Sequence, residues 1–333
     1  MVILGIESSC DDTAAAVLVD DTVRSSIVAS QDEVHHRYGG IVPELASRSH
    51  IRAIIPVIDR ALGEAGLTLD DVEGIAVTTG PGLVGSLLVG LSAAKAIAFS
   101  RKLPLVGVNH LEGHLLSPKL DAEVPFPYLV LLVSGGHTSL YWAENRGHYR
   151  CLGMTRDDAA GEAFDKVAKV LGLGYPGGRV IDELARSGDR QGIRFPRARL
   201  KPGRHRRPFD FSFSGLKTAV WHHVQGQRPA GADTATVAAS FQEAVVDMLL
   251  DTTLAAASEV GARRLVVAGG VAANSRLRAR VQEAGAEFGL AVSMPAFRYC
   301  TDNAAMIAYA GGGRLRRGER DPWTLNASAD LEL

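Results

Sequence analysis

The chain has 333 residues, 46% apolar and 22% charged, the composition of an ordinary globular protein long enough for two domains with their own cores. A formal net charge of −1 excludes any global electrostatic pull toward nucleic acid, so such binding has to rest on a local patch. Cys10, Cys151 and Cys300 are odd in number and far apart, with no CxxC pair, which excludes a disulfide framework and predicts a reducing cytoplasm. The start, MVILGIESS, has neither the basic region nor the cleavage site of a signal peptide, and the longest apolar stretch, residues 83–94, is too short to span a membrane.

Residues 2–7 and 14–19 read as two strands. The turn between them, Ser8-Ser9-Cys10-Asp11-Asp12-Thr13, carries hydroxyls and two adjacent carboxylates. Such a turn presents backbone N–H groups to phosphate and the carboxylates of Asp11 and Asp12 to a cation; it reads equally as a solvated hairpin tip. Residues 43–65 show helical spacing, with Pro56 predicted to kink or divide the helix. A strand at 72–78 is followed by Gly80-Pro81-Gly82-Leu83-Val84-Gly85 and an Ala/Leu-rich helix to about residue 99. That segment matches G-x-G-x-x-G. However, Pro81 removes one amide, and the position for a ribose-binding acid holds Asn109 or His110. The glycines therefore read as a tight helix packing site.

Residues 103–108 form the next strand and run into Asn109-His110-Leu111-Glu112-Gly113-His114. His110 and His114, four apart, share one face of a helix turn, a spacing that suits two nitrogens on one metal ion. Glu112 stands at the third position of the motif, where a zincin would need it at the second. A third ligand must come from elsewhere, and the alternative is a plain pair of polar helix histidines.

A second hairpin spans 128–143, with Ser134-Gly135-Gly136-His137-Thr138 as its turn. This repeats the organisation of the first hairpin about 125 residues later and predicts two similar α/β halves, each opening with a phosphate-facing hairpin. A helix ending near Leu171 leads to the loop Gly174-Tyr175-Pro176-Gly177-Gly178, with another helix at 179–186. Asp165 and Asp182 either turn toward that loop or serve as surface and capping residues. Arg194, Arg197, Arg199, Lys201, Arg204, Arg206 and Arg207 follow with no acidic residue between them, a patch suited to a phosphate backbone or a solvated basic loop. Residues 209–218 alternate like a strand edge entering a helix. A long amphipathic helix at 234–259 precedes a buried strand at 264–268. Gly269-Gly270-Val271-Ala272-Ala273-Asn274 then forms a nucleotide-facing crossover, with Asn274 placed to hydrogen-bond a base or ribose. Asp302, in Cys300-Thr301-Asp302-Asn303, either caps the small-residue helix after it or completes the two-histidine site.

These stretches together resemble the bacterial tRNA N(6)-adenosine threonylcarbamoyltransferase family, within the actin-like ATPase superfamily. The resemblance is carried by GIESSCDDT from Gly5, VPELASR from Val42, GPGL from Gly80, HLEGH from His110, LVSGGHT from Leu132, GEAFDK from Gly161, FSFSGLKT from Phe211, AGGV from Ala268 and CTDN from Cys300. It implies an α/β fold of duplicated RNase-H-like (actin-like ATPase) domains around a central cleft. The halves would be residues 1–128 and 129–333, with the last helix, about 303–318, packing back on the first half. It implies that His110, His114 and Asp302 hold one divalent metal, Fe2+ or Zn2+, and that Leu132, Val133, Ser134, Gly135, Gly136, Asp165, Gly178, Asp182 and Asn274 line the substrate pocket.

The implied activity is transfer of the threonylcarbamoyl group of L-threonylcarbamoyladenylate to the adenosine next to the anticodon of tRNA, helped by a paralogous inactive subunit, TsaB, and an ATPase, TsaE. Asp11 or Asp12 would take the amine proton. The family's usual Asp-Glu-Thr is Asp11-Asp12-Thr13 here, one methylene shorter, and Asn109 replaces a frequent histidine. The rival readings are a phosphotransferase of the same superfamily, which leaves the His-His-Asp set without a purpose, a metalloprotease, which the position of Glu112 opposes, and a nucleotide-switched binding module.

Overall fold

The computed structural model describes residues 1–198, 200, 207–226 and 233–333. They divide into two units, one of residues 1–123 with 301–333 and one of residues 124–300. In the first unit β1 (Val2–Glu7), β2 (Thr13–Val19) and β3 (Thr22–Ala29) form an antiparallel meander. A short α1 (Asp32–His36) and the long α2 (Pro43–Ala65) follow. Then β4 (Gly74–Gly80), α3 (Val84–Arg101) and β5 (Leu105–Asn109) add two parallel strands, and α4 (His110–Leu116) begins where β5 ends. The sheet order is β3-β2-β1-β4-β5.

α2 runs unbroken through Pro56, so the expected division there is absent. A mid-helix proline costs about 3 kcal/mol. Against that, Ile54, Val57, Ile58 and Leu62 are buried on one face of the helix, each contributing about 1.5–3 kcal/mol. α3 continues past Lys95 to Arg101, which makes it long and apolar enough to cross a membrane by length and composition. One face of it, Leu87, Leu91, Ala94 and Ala98, is buried.

The second unit repeats the plan. β6 (Tyr128–Val133), β7 (Thr138–Asn145) and β8 (His148–Met154) form the meander. α5 (Ala160–Leu171), α6 (Gly177–Ala185), α7 (Ser214–Gly226) and α8 (Thr234–Glu259) come next. β9 (Arg264–Ala268), α9 (Ser275–Phe288) and β10 (Ala291–Ser293) close the sheet in the order β10-β9-β6-β7-β8. In both units, then, the first strand is central, with the other two strands of its antiparallel meander on one side and two strands parallel to it on the other. Residues 209–213 are not a strand, contrary to the sequence pattern. Phe211 makes one isolated bridge to Thr155, and the Phe213 amide donates to the Asp157 carboxylate at 2.8 Å instead of to a neighbouring strand. The rings of Phe211 and Phe213 are buried.

The chain then returns to its first unit as α10 (Ala304–Arg316). Pleating turns Leu4 and Ile6 toward the core beneath α2 and α3, and Ile3 and Gly5 toward α10. A Cβ on Gly5 would stand 2.4 Å from the Ala304 carbonyl oxygen, and one on Gly311 2.4 Å from the Ala76 Cβ. The small residues of α10 therefore let helix and sheet backbones approach closely. The residues after α10 strap the ends of β4 and β5: the Ser328 amide donates to the Thr79 carbonyl, and the Gly82 amide to that of Ala329.

Candidate metal centre and glycine hairpins

The β5–α4 junction sets the first site. Asn109 caps α4 by accepting from the Leu111 amide at 2.9 Å, while its own amide donates to the carbonyls of Leu331 and Glu332. His110 and His114 lie one turn apart, with ring centroids 4.7 Å apart and planes almost perpendicular. Asp302 faces both. Its Oδ1 is 3.1 Å from His114 Nε2 and 3.5 Å from His110 Nε2. The ligand atoms of the three residues lie within 4.8 Å of one another. The cap of α10 is Asn303, whose Oδ1 accepts from the Met306 amide, so the helix-cap alternative for Asp302 is corrected. Asn303, one residue nearer the helix, makes the cap in its place.

Glu7, at the end of β1, was not singled out by the sequence. It is wholly buried. Its Oε2 accepts from His110 Nδ1 at 2.9 Å and from Thr78 Oγ1 at 2.7 Å, and its Oε1 accepts from the Ser9 amide. His50, on α2, is a second unforeseen residue. It takes the Thr13 hydroxyl on Nδ1 at 2.7 Å and donates from Nε2 to the Cys10 carbonyl at 2.9 Å, which pins the turn carrying Asp11 and Asp12. A contact made across the fold leaves no spacing in the sequence, so neither residue had a local signal.

The charges here compete. Burial opposes protonation of His110, but the Asp302 and Glu7 carboxylates outweigh it and raise its pKa to about 9. Burial also works against the Glu7 charge, yet the neighbouring His110 holds that carboxyl below its usual range. Burial, then the Asp302 charge, pushes Asp11 up. Burial, then Asp302 and Asp11, pushes Asp12 up to about 8. A cluster of two imidazole nitrogens and one carboxylate, with further carboxylates crowded beside it, is short of one positive charge. That donor set fits a divalent ion of the zinc or ferrous type, with coordination positions left open.

This carries a pH signature for the metal-free protein. Asp12 titrates near 3.8 when unfolded and about 8 when folded, and His110 near 6.5 and about 9. Both folded values are raised, so the native state binds more protons, and the stability they contribute is lost as pH rises through 8 and 9. The shift on Glu7 acts only near and below its ordinary 4.5, outside that window. Thermal melts in chelator are expected to fall from pH 6.5 to pH 9, and added Zn2+ to flatten the fall. Melts independent of pH with and without Zn2+ would contradict this charge picture.

In the segment Gly80-Pro81-Gly82-Leu83-Val84-Gly85, the Gly82 and Leu83 amides are taken up by the protein itself. Leu83 N–H donates to the Ser9 carbonyl, and a Cβ on Gly82 would stand 2.4 Å from the same oxygen. The glycines serve packing, Gly82 against Ser9 of the first hairpin, Gly80 against Ser328 and Gly85 against Ser47 of α2.

In the second unit the β6–β7 turn closes on itself, the Ser134 amide donating to the His137 carbonyl and the His137 amide to Ser134 Oγ. Gly135 and Gly136 are open: a Cβ on either meets nothing within 4 Å. Leu132 and Val133 are wholly buried, so only their backbone can serve a ligand. The N-terminus of α5 abuts this turn. Gly161 N–H donates to the Ser134 carbonyl, and Ala160 N–H to Thr138 Oγ1 at 2.8 Å. A helix N-terminus beside two bare glycines is a favourable setting for an anion.

Asp165 accepts from the Gly177 amide at 2.7 Å and ties α5 to the start of α6, where Gly178 lies in open space. Asp182 takes the Ser275 hydroxyl at 2.8 Å and the Ser275 amide at 3.2 Å, an anion at the N-terminus of α9. Asn274 caps α9 through the Leu277 amide and donates to Gln242 Oε1 at 2.7 Å. One lone pair of its Oδ1 and one N–H of its Nδ2 are therefore engaged by the protein, which leaves one acceptor and one donor position for the base or ribose contact read from the sequence.

Of the basic segment, Arg199, Lys201, Arg204 and Arg206 lie outside the described residues. Arg197 is paired with Asp247 at 2.9 Å, and Arg207 lies against Cys151. A further group of arginines at the end of α10, Arg314, Arg316 and Arg317, is paired with Glu319, Asp321 and Asp21.

Comparison with known proteins bears on what these sites serve. A solved HypF in its phosphate- and nucleotide-bound form superposes with a TM-score of 0.63 over 94% of this chain and 55% of its own, at 14% identity. The activator of 2-hydroxyisocaproyl-CoA dehydratase from Clostridium difficile, with bound ADPNP, superposes with a TM-score of 0.53 over 97% of this chain and 99% of its own, also at 14% identity. At that identity they speak to the fold alone, which is of the duplicated actin-like type. The tRNA N6-adenosine threonylcarbamoyltransferase of Syntrophus aciditrophicus (strain SB) is 55% identical over 331 residues, 98% of this chain and 96% of its own. That of Anaeromyxobacter dehalogenans (strain 2CP-1 / ATCC BAA-258) is 56% identical over 336 residues, 99% of each chain. The family model described as "TsaD: tRNA N6-adenosine threonylcarbamoyltransferase" matches residues 22–309, and the chain belongs to that family of transferases.

Proposed function

We propose that this chain moves the threonylcarbamoyl group of L-threonylcarbamoyladenylate to the N(6) amine of the adenosine next to the anticodon, in tRNAs reading codons that begin with A. The family match along residues 22–309 carries the reading, and the convergence of His110, His114 and Asp302 supports its metal. The amine nitrogen forms a bond to the carbamoyl carbonyl carbon, the bond from that carbon to the phosphate oxygen breaks, and AMP leaves with the electron pair. Asp11 or Asp12 accepts the amine proton. The open turn at Gly135 and Gly136, with the N-terminus of α5 beside it, receives the phosphate through backbone amides. His110, His114 and Asp302 would hold Fe2+, with Zn2+ the alternative, and the ion would supply Lewis acidity toward the carbamoyl carbonyl. A tRNA substrate places the activity in the cytoplasm. The test is transfer from purified threonylcarbamoyladenylate to tRNA carrying unmodified adenosine, read as modified nucleoside and released AMP. Hydrolysis of ATP without tRNA modification would instead favour the phosphotransferase reading.

The partner reading rests on α2 and α3. Ile51 and Ile55 on α2, and Val84 and Leu88 on α3, are each spaced by one turn and each more than 40% exposed. Two exposed apolar pairs on neighbouring helices suit a helix-on-helix contact with the paralog TsaB, with TsaE joining the assembly. Ile51→Glu with Leu88→Glu is expected to abolish co-purification of the paralog while metal content stays at the unaltered level. Co-purification in equal yield would send the interface elsewhere.

A further inference from the structure

We propose that Glu7 is the positioning residue of the metal centre, a buried carboxylate that fixes the His110 ring with Nε2 toward Asp302 and strengthens it as a ligand. This rests on reading His110, His114 and Asp302 as a divalent-metal site.

A carboxylate removed from water needs partners for its oxygens. Glu7 has three, and each comes from a different element: the Ser9 amide from the first hairpin turn, the Thr78 hydroxyl from β4, and His110 Nδ1 from α4. The first two aim the carboxylate. The third is the only imidazole among them, and its opposite nitrogen faces Asp302. With Nδ1–H held by Glu7, the ring's free lone pair is on Nε2, on the side where His114 Nε2 also points. A ligating histidine whose far N–H is held by a carboxylate is a better-oriented and more basic ligand, and loss of such a carboxylate typically weakens metal affinity about 10–100-fold. If Glu7 only knitted β1 to β4, Thr78 and Ser9 would satisfy it and His110 would not be required.

The experiment uses the full chain, stripped of metal and titrated with Zn2+ alone against a chromophoric chelator. Glu7→Gln keeps the shape and removes the charge. It is expected to weaken Zn2+ affinity about 10–100-fold and to change the visible spectrum of the Co2+-loaded protein. Thr78→Val, which removes a Glu7 partner but no partner of His110, is expected to shift the melting temperature more than the Zn2+ affinity. A folded Glu7→Gln protein that binds Zn2+ as tightly as the unaltered chain overturns the proposal. Should Glu7→Gln not fold, the zinc-loaded unaltered chain with 15N-labelled histidine decides the matter: a protonated Nδ1 and a ligating Nε2 on His110 support it, and ligation through Nδ1 overturns it. An unaltered chain that takes up no Zn2+ removes the metal reading itself, a result distinct from equal binding by the two proteins.

Discussion

Asp302→Ala is expected to leave the purified protein with well below one equivalent of divalent metal and to lower threonylcarbamoyl transfer by about 100-fold or more. The first half follows from the donor count, since two imidazoles hold such an ion far less well than two imidazoles and a carboxylate. The second follows from Lewis acidity worth several kcal/mol at the transition state, at about tenfold in rate for each 1.36 kcal/mol. The substitution also allows loss of a ligand to be told from loss of fold. The Asp302 charge is one of the causes that push Asp11 and Asp12 up. Its removal eases their ionisation but also takes away the first of the two carboxylates that raise His110, so the two effects oppose each other and metal-free Asp302→Ala is expected to melt close to the metal-free parent at pH 8. Elemental analysis, a transfer assay and paired melts check the three statements. Full metal occupancy in the variant would mean that Asp302 is not the third ligand, and a much lower melt at pH 8 would mean that its main work is structural.

What the sequence disclosed about this centre was whatever a local pattern can carry. His110 and His114 stand four apart on one helix, and the hairpin turns announce themselves by small polar residues between apolar runs. The long helix at Thr234–Glu259 and the strand Arg264–Ala268 were legible to the residue because their apolar patterns are strong and bounded. β3 and β8 went unread. Each is the outermost strand of its meander and is only partly buried, so TVRSSIVA and HYRCLGM mix polar and apolar residues without a clean period. Glu7 looked like the polar end of a strand, and its partnership with His110 joins residues 103 positions apart. The basic segment was visible as composition, but the pairing of Arg197 with Asp247 depends on a helix that comes 50 residues later. Asp302 was legible as one of two alternatives, and the Asn303 cap removes the first of them.

The second hairpin allows a sharper test, because its glycines differ in what surrounds them. Gly136→Ala adds a methyl group where no protein atom lies within 4 Å, on backbone outside the left-handed region. The fold has no reason to object, and its melting temperature is expected to stay the same. If the adenylate phosphate sits on these amides, the methyl group stands in its way, and affinity is expected to fall at least about tenfold, or about 1.4 kcal/mol. Gly161→Ala is the opposite case. Its Cβ would stand 2.6 Å from the Ser134 carbonyl oxygen and 2.8–2.9 Å from the Gly135 backbone, none of which is the end of a flexible side chain. Either the start of α5 or the hairpin has to move. Overpacking of this kind costs about 1–3 kcal/mol, and in a domain of this size each kcal/mol lowers the melting temperature by about 2–4 °C. Gly161→Ala is therefore expected to lose both stability and adenylate affinity, and Gly136→Ala affinity alone. Calorimetric titration with AMP beside thermal melts of the same preparations reads both quantities. Unaltered AMP affinity in a stable Gly136→Ala protein would move the phosphate away from this hairpin, and the N-terminus of α9 beside Asn274 would be the next place to look.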